Sequence, residues 1–310
     1  MKYNVLLLYM FLIFLTPSFA QDNVIKNLQS ESQKADKKIQ SASSDKTWKK
    51  GILYNLTFSQ ASLSNWAAGG DKSSLSVGSI LNMYANYKKN KNSWDNTFDF
   101  NLGYVSSTSL GNRKNDDRFD FVSKYGYAIN NKINYAVLVN LRSQFFKGYA
   151  YEGGVRTLTS SFMSPGYLLN SIGIDYKPAT STSIFVSPLT ARWVFVNEPF
   201  LSSKGMYGVD PGKRSTLEVG AYATVNFLKD IAPNIVYKAR LDLFSNYREN
   251  PQNVDLFMSN ILSVKLSKIF TVNWNVDLIY DDDARLFGPL GNSPGLQFKS
   301  LVGLGVQFKK

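Results

Sequence analysis

From Trp48 onward, apolar side chains recur at every second position in stretches that reach ten residues or more, and this period decides what the chain can fold into. The clearest stretch is Trp94, Asn96, Phe98, Phe100, Leu102 and Tyr104, interleaved with Asp95, Thr97, Asp99, Asn101 and Gly103. Side chains on a strand point alternately to its two faces, so one face here is largely apolar and the other polar. Twelve such segments follow one another: Ile52–Phe58, Leu75–Tyr87, Trp94–Tyr104, Phe119–Ile129, Ile133–Leu141, Leu168–Tyr176, Phe185–Phe195, Leu217–Phe227, Ile235–Tyr247, Val254–Val264, Phe270–Tyr280 and Leu296–Phe308. Strands of globular proteins run to about five or six residues, whereas about nine to eleven tilted residues cross a bilayer. Length therefore speaks against a soluble sandwich or a lipocalin-like barrel.

The connections alternate too. Brief turns such as Asn130-Asn131 join the second segment to the third, the fourth to the fifth, and so on to the tenth and eleventh. The intervening loops are mostly longer, notably around 148–166, 198–213 and 281–294. Short periplasmic turns and long outer loops are the pattern of a transmembrane barrel. The expectation is an all-β, antiparallel up-and-down barrel of about 12 strands over residues 48–310, with both termini periplasmic. Tyr87, Trp94, Tyr104, Tyr149, Tyr176, Tyr247 and Tyr280 lie near segment ends, where an interfacial aromatic girdle is expected.

The first twenty residues read as a signal peptide: Lys2, an apolar run from Val5 to Leu15, then Thr16-Pro17-Ser18-Phe19-Ala20. Residues 21–47 are polar and lysine-rich and read as a periplasmic linker, partly helical or simply disordered. No other stretch approaches the roughly twenty apolar residues of a transmembrane helix. In lipid only helices and closed barrels satisfy every backbone polar group, so membrane residence here means a barrel in the outer membrane. The chain has no cysteine and no histidine, which removes thiol chemistry, a lipoprotein anchor, the usual general base and the commonest metal ligand. No enzymatic activity and no cofactor are expected.

The net charge of +12 invites a nucleic-acid or anion-channel reading until each charge is placed. The apolar phase of the segments carries none, as lipid exposure demands, since a lysine or arginine at the bilayer midplane costs roughly 2–4 kcal/mol. The opposite phase, facing the lumen, carries eight basic residues, Arg118, Lys124, Arg142, Arg192, Lys238, Arg240, Lys265 and Lys299. Eight acidic ones balance them: Asp95, Asp99, Asp120, Asp175, Glu218, Asp242, Asp255 and Asp277. The excess sits in the short turns and C-terminus, at Lys88, Lys89, Lys91, Lys132, Lys177, Lys229, Lys268, Lys309 and Lys310 against Asp230, and in the first fifty residues. Such a lysine ring suits the headgroups of outer-membrane lipids, not nucleic acid.

Of the motifs, Gly303-Leu304-Gly305-Val306-Gln307-Phe308 resembles the terminal strand signal read by the barrel-assembly machinery, although Lys309 and Lys310 follow the aromatic. Asp281-Asp282-Asp283 lacks the spacing, glycine and distal glutamate of a calcium loop, and no metal is expected. Asn65-Trp66-Ala67-Ala68-Gly69-Gly70, Trp94-Asp95-Asn96-Thr97, Asn115-Asp116-Asp117-Arg118, Ser123-Lys124-Tyr125-Gly126 and Ser187-Pro188-Leu189-Thr190 form a set with Leu243-Phe244-Ser245-Asn246-Tyr247 and Tyr280-Asp281-Asp282-Asp283. Together they resemble an outer-membrane family of the Bacteroidota known as domain of unknown function 3078, over roughly residues 48–310. The resemblance implies an outer-membrane barrel and brings no catalytic or ligand-binding residues with it.

Two classes of function lead, with an outer-membrane enzyme as a third and weaker reading. A polar lumen lined by Arg118, Asp120, Lys124, Arg142, Arg192, Glu218, Lys238, Arg240, Asp242 and Asp277 suits a narrow passive pore for small hydrophilic solutes. Balanced charges equally suit a closed barrel serving as a structural or binding platform through its loops. Eight strands are typically filled by side chains and sixteen or more leave an aqueous channel, so twelve lie between. Trp66, Gly69 and Gly70 are expected to close the first outer loop, the glycines allowing a tight path and the indole anchoring at the interface.

Overall fold

The computed structural model describes residues 47–62, 73–109, 111–152, 155–282 and 293–309. The chain divides into two units at Thr47/Trp48. The signal peptide and all but the last residue of the linker fall outside the described residues, as do Trp66, Gly69 and Gly70. The strands are β1 (Trp48–Ser62), β2 (Ser73–Lys89), β3 (Asn92–Ser107), β4 (Gly111–Ala128), β5 (Ile133–Ser143), β6 (Gly148–Glu152), β7 (Val155–Ser160), β8 (Gly166–Ala179), β9 (Thr182–Phe195), β10 (Ser215–Ala232), β11 (Ile235–Asn246), β12 (Val254–Lys265), β13 (Phe270–Tyr280) and β14 (Gln297–Lys309).

Twelve of them close into one antiparallel barrel, in which β5 pairs with β8 and β14 returns to β1 from Leu53↔Lys309 to Thr57↔Gly305. Closure leaves no unpaired edge, the condition for a sheet in lipid. The remaining two strands, β6 and β7, form a separate hairpin in the loop between β5 and β8. All five brief turns lie at one end of the barrel, where β1 also starts beside Tyr87 and β14 ends.

Burial is inverted relative to a soluble protein. On β14, Phe298 is 67% and Val302 70% exposed on the outer face, while Asp175 on β8 and Asp277 on β13 face inward at 1% and 3%. Apolar surface outside and polar groups inside is the distribution of a transmembrane barrel.

The alternation breaks at Ser187-Pro188-Leu189. Ile172↔Leu189 is followed by Ile174↔Val186, and Gly220↔Thr190 by Tyr222↔Ser187, so β9 carries one residue more than either neighbour there. A bulge at a proline, which has no N–H for the ladder, shifts the inward set from odd to even positions. Phe185, expected on the lipid face with Leu189, Trp193 and Phe195, is therefore turned into the lumen and fully buried. A second bulge lies where Gly103↔Asp116 gives way to Tyr104↔Lys114. Just before it Asp117, in the same phase as Phe119, shares the outward face with Leu102, a costly place for a carboxylate. It is neutralised by Lys114 Nζ at 2.9 Å and accepts hydrogen bonds from the backbone N–H groups of Phe145 and Phe146 at 3.1 and 2.7 Å. The Phe145 ring then covers Phe119 and Phe100, with ring centroids 4.6 and 5.5 Å away.

The loop between β9 and β10 has a small core of its own. It holds a short helix α1 (Pro199–Ser203) and a 3-10 turn (Met206–Gly208). Val196, Leu201 and Val209 are buried there with Val194 of β9, and Leu158, Tyr167, Met206 and Tyr207 pack against them.

Candidate functional site

Strand alternation points one side chain in two at the lumen, and in a barrel this narrow those side chains meet across it. Arg142 on β5 bonds Asp120 on β4 through Nε at 2.9 Å and Asp242 on β11 through Nη2 at 2.8 Å. Arg240 on β11 bonds Asp242 at 2.8 Å and Asp120 at 3.1 Å. Asn140 donates to Asp120 at 2.6 Å and Tyr222 to Asp242 at 3.0 Å. Two guanidinium groups and two carboxylates thus form one square with its lone pairs occupied, the requirement for keeping charge away from water. β4 and β11 stand five places apart around the ring of twelve, so the square bridges nearly opposite walls.

Other layers lie to either side. Towards the short-turn end, Lys238 on β11 reaches Asp99 on β3, six places round and diametrically opposite, at 2.9 Å. Lys124 bonds Asp175 at 2.7 Å, and the Ser183 hydroxyl donates to the same carboxylate at 2.6 Å. Lys177, expected in the headgroup ring, instead bonds Asp95 and Asp175 at 3.0 and 3.5 Å, because a flexible four-carbon stem can carry its charge to a carboxylate nearby. Lys88, Lys89, Lys91, Lys132, Lys229 and Lys268 stay exposed at that end.

Towards the long-loop end, Arg118 bonds Asp277 at 3.3 Å, while Lys299 bonds Asp277 and Asp116, each at 2.9 Å. Arg192 binds Glu218 through Nε and Asp255 through Nη1, the latter at 2.6 Å. All ten charges that the sequence suggests as a pore lining are therefore ion-paired, in layers and not in one cluster. The aromatic groups of these layers escaped notice. Arg142 lies over the Phe257 ring at 3.7 Å, Arg118 at 5.2 Å from the same ring, and Arg192 over Phe244 at 4.0 Å. Their signal was present: Phe244 and Phe257 are large apolar residues in the polar phase of their strands, where packing against guanidinium faces gives them a place.

Above the square is a cavity of about 450 Å³, lined by Arg118, Arg142, Arg192, Tyr167, Phe244 and Phe257 among others. Tyr207 also lines it, and lines as well an outer cavity of about 610 Å³ between β7 and the β9–β10 loop. Tyr207 holds a left-handed backbone at φ 61°, costly for a residue with a side chain, and its hydroxyl donates to the Thr159 carbonyl. Burial pushes that hydroxyl up to about 12. Nothing in the local sequence announces this conformation, although Gly205 and Gly208 on either side share positive φ.

The class is thus a closed, charge-filled barrel with an apolar exterior. Residues 58–149 match the family described as Protein of unknown function (DUF3078). No curated protein matches the chain significantly. Among solved structures, the chain is similar to the COG4313 outer membrane channel from Pseudomonas putida F1, with 11% identity, 84% of this chain and 94% of that one covered, and a TM-score of 0.38. It is also similar to the translocator domain of autotransporter NalP from Neisseria meningitidis (11% identity, 93% and 99% covered, TM-score 0.33) and to the NanC porin (7%, 83% and 98%, TM-score 0.37).

Proposed function

We propose that the protein resides in the outer membrane, carried there by the signal peptide of residues 1–20, as a barrel shut at mid-height that works from its long-loop end as a binding platform. The long loops face outward in this reading. The short turns and both ends of the barrel chain face the periplasm, with their lysines among inner-leaflet headgroups. The barrel-assembly machinery reads the last strand, and the setting is the Bacteroidota, following the family resemblance. No catalytic role is assigned to any residue.

The observation that carries this reading is the Asp120–Arg142–Arg240–Asp242 square, which spans the lumen between nearly opposite walls with every carboxylate oxygen accepting a hydrogen bond. The second reading, a narrow pore that opens when the square parts, is favoured by the cavity directly above it. Conductance of the refolded chain in a planar bilayer separates the two. Silence with verified insertion is expected of the unaltered protein, and discrete steps of the Arg240→Ala, Asp242→Ala variant would show the square to be the barrier. Discrete ohmic steps from the unaltered protein would establish the pore.

A further inference from the structure

The cavity above the square has three properties that together specify a ligand. Its volume of about 450 Å³ lies within the roughly 300–1,000 Å³ of small-molecule sites. Its middle is aromatic, with Phe244 and Phe257 side by side: Phe244 is the cross-strand partner of Asp255, and Phe257 that of Asp242. Its charges are matched unevenly. A guanidinium has five N–H donors, and Arg142, Arg192 and Arg240 each engage two carboxylates, whereas Arg118 meets one carboxylate among the described residues, at 3.3 Å. Arg118 therefore retains donors for an anionic group. Around Arg192 the imbalance is reversed among the described residues, because one guanidinium serves both Glu218 and Asp255 and leaves one negative charge over. That end favours a cation.

The two ends are not adjacent. Asp255 and Phe257 are two residues apart on β12, about 7 Å along a strand, and Arg118 lies at the Phe257 ring. A molecule meeting both ends must hold opposite charges apart on an apolar body. A lone anion or a lone cation would satisfy one end only.

We propose that this cavity binds a small zwitterion whose ammonium and carboxylate are separated by an apolar segment, the chemistry of a short peptide or an ω-amino acid. The carboxylate meets Arg118, the ammonium meets Asp255 and Glu218, and the body lies against Phe257 and Phe244. This assignment deepens the platform reading, since it requires the floor of the cavity to be shut.

The test is calorimetric titration of the full chain, refolded in detergent micelles, with 6-aminohexanoate, hexanoate and hexylamine. The expected result is one site for 6-aminohexanoate, with hexanoate and hexylamine each at least tenfold weaker. Arg118→Met should weaken 6-aminohexanoate at least tenfold and leave hexylamine unchanged, and Asp255→Asn should weaken it while leaving hexanoate unchanged. Each variant is first shown to keep the heat-modifiable gel mobility of a folded barrel, and if Arg118→Met does not fold, Arg118→Lys replaces it with the same expectation. No binding of 6-aminohexanoate, equal binding of a singly charged analogue, or indifference to both substitutions overturns the proposal. Conductance of the same preparation reports separately on whether the barrel is shut, so failure of the ligand and failure of the platform reading are distinguishable.

Discussion

Arg240 makes ion pairs to two aspartates, and among the described residues neither Asp120 nor Asp242 has a basic partner besides Arg240 and Arg142. Removing one guanidinium leaves two inward carboxylates on the other, and an uncompensated charge in such a place costs about 3–5 kcal/mol. Arg240→Ala should therefore lower unfolding stability in micelles by about 3 kcal/mol. The Arg240→Ala, Asp242→Ala variant should lose less than the sum of the two single changes, because it leaves Arg142 and Asp120 as a matched pair. Guanidinium unfolding of the three variants measures this, and strict additivity would show that the square is not one energetic unit. At this scale the sequence was informative about charge and silent about partners. Phase along a strand says that Arg240 faces inward, but only the closed ring brings β11 within reach of β4.

Among the elements, β9 shows where local pattern and tertiary packing part. Its twelve pairings with β10 are regular below and above the bulge, yet Phe185 lies inside and Leu189 outside because one extra residue intervenes. A reader counting apolar residues assigns both to one face, and the only hint in the sequence is Pro188, which cannot donate to a ladder. Gly173 on β8 marks the same spot from the other side. A Cβ placed there would come within 2.1 Å of the Val186 carbonyl oxygen and 2.8 Å of the Ser187 Cα, both backbone atoms that cannot swing away. Gly173→Ala should thus force the bulge to shift and destabilise the barrel by about 1–3 kcal/mol, the range for overpacking. Unchanged stability in urea would mean that β9 slides freely over β8. The strand segments themselves were legible because lipid outside and charge inside impose a period of two on most of the wall. The β6–β7 hairpin and the core of the β9–β10 loop were not, since neither spans the wall and their packing depends on residues brought from distant strands.

For the whole molecule, the barrel has one end with five tight turns and exposed lysines, and another with a hairpin, a short helix and the cavity that Tyr207 helps to line. This asymmetry gives the proposed orientation a physical basis: lysine stems can lie along apolar surface while their ammonium groups reach anionic headgroups, and the described parts of the long loops have no comparable ring. An epitope inserted between Glu249 and Asn250, in the exposed turn after β11, should label on intact cells. The same epitope inserted between Asn90 and Lys91 should label only after the outer membrane is permeabilised. The reverse pattern would place the cavity towards the periplasm. A zwitterion would then reach it from inside the cell envelope, and the platform would serve a periplasmic partner instead of the surface.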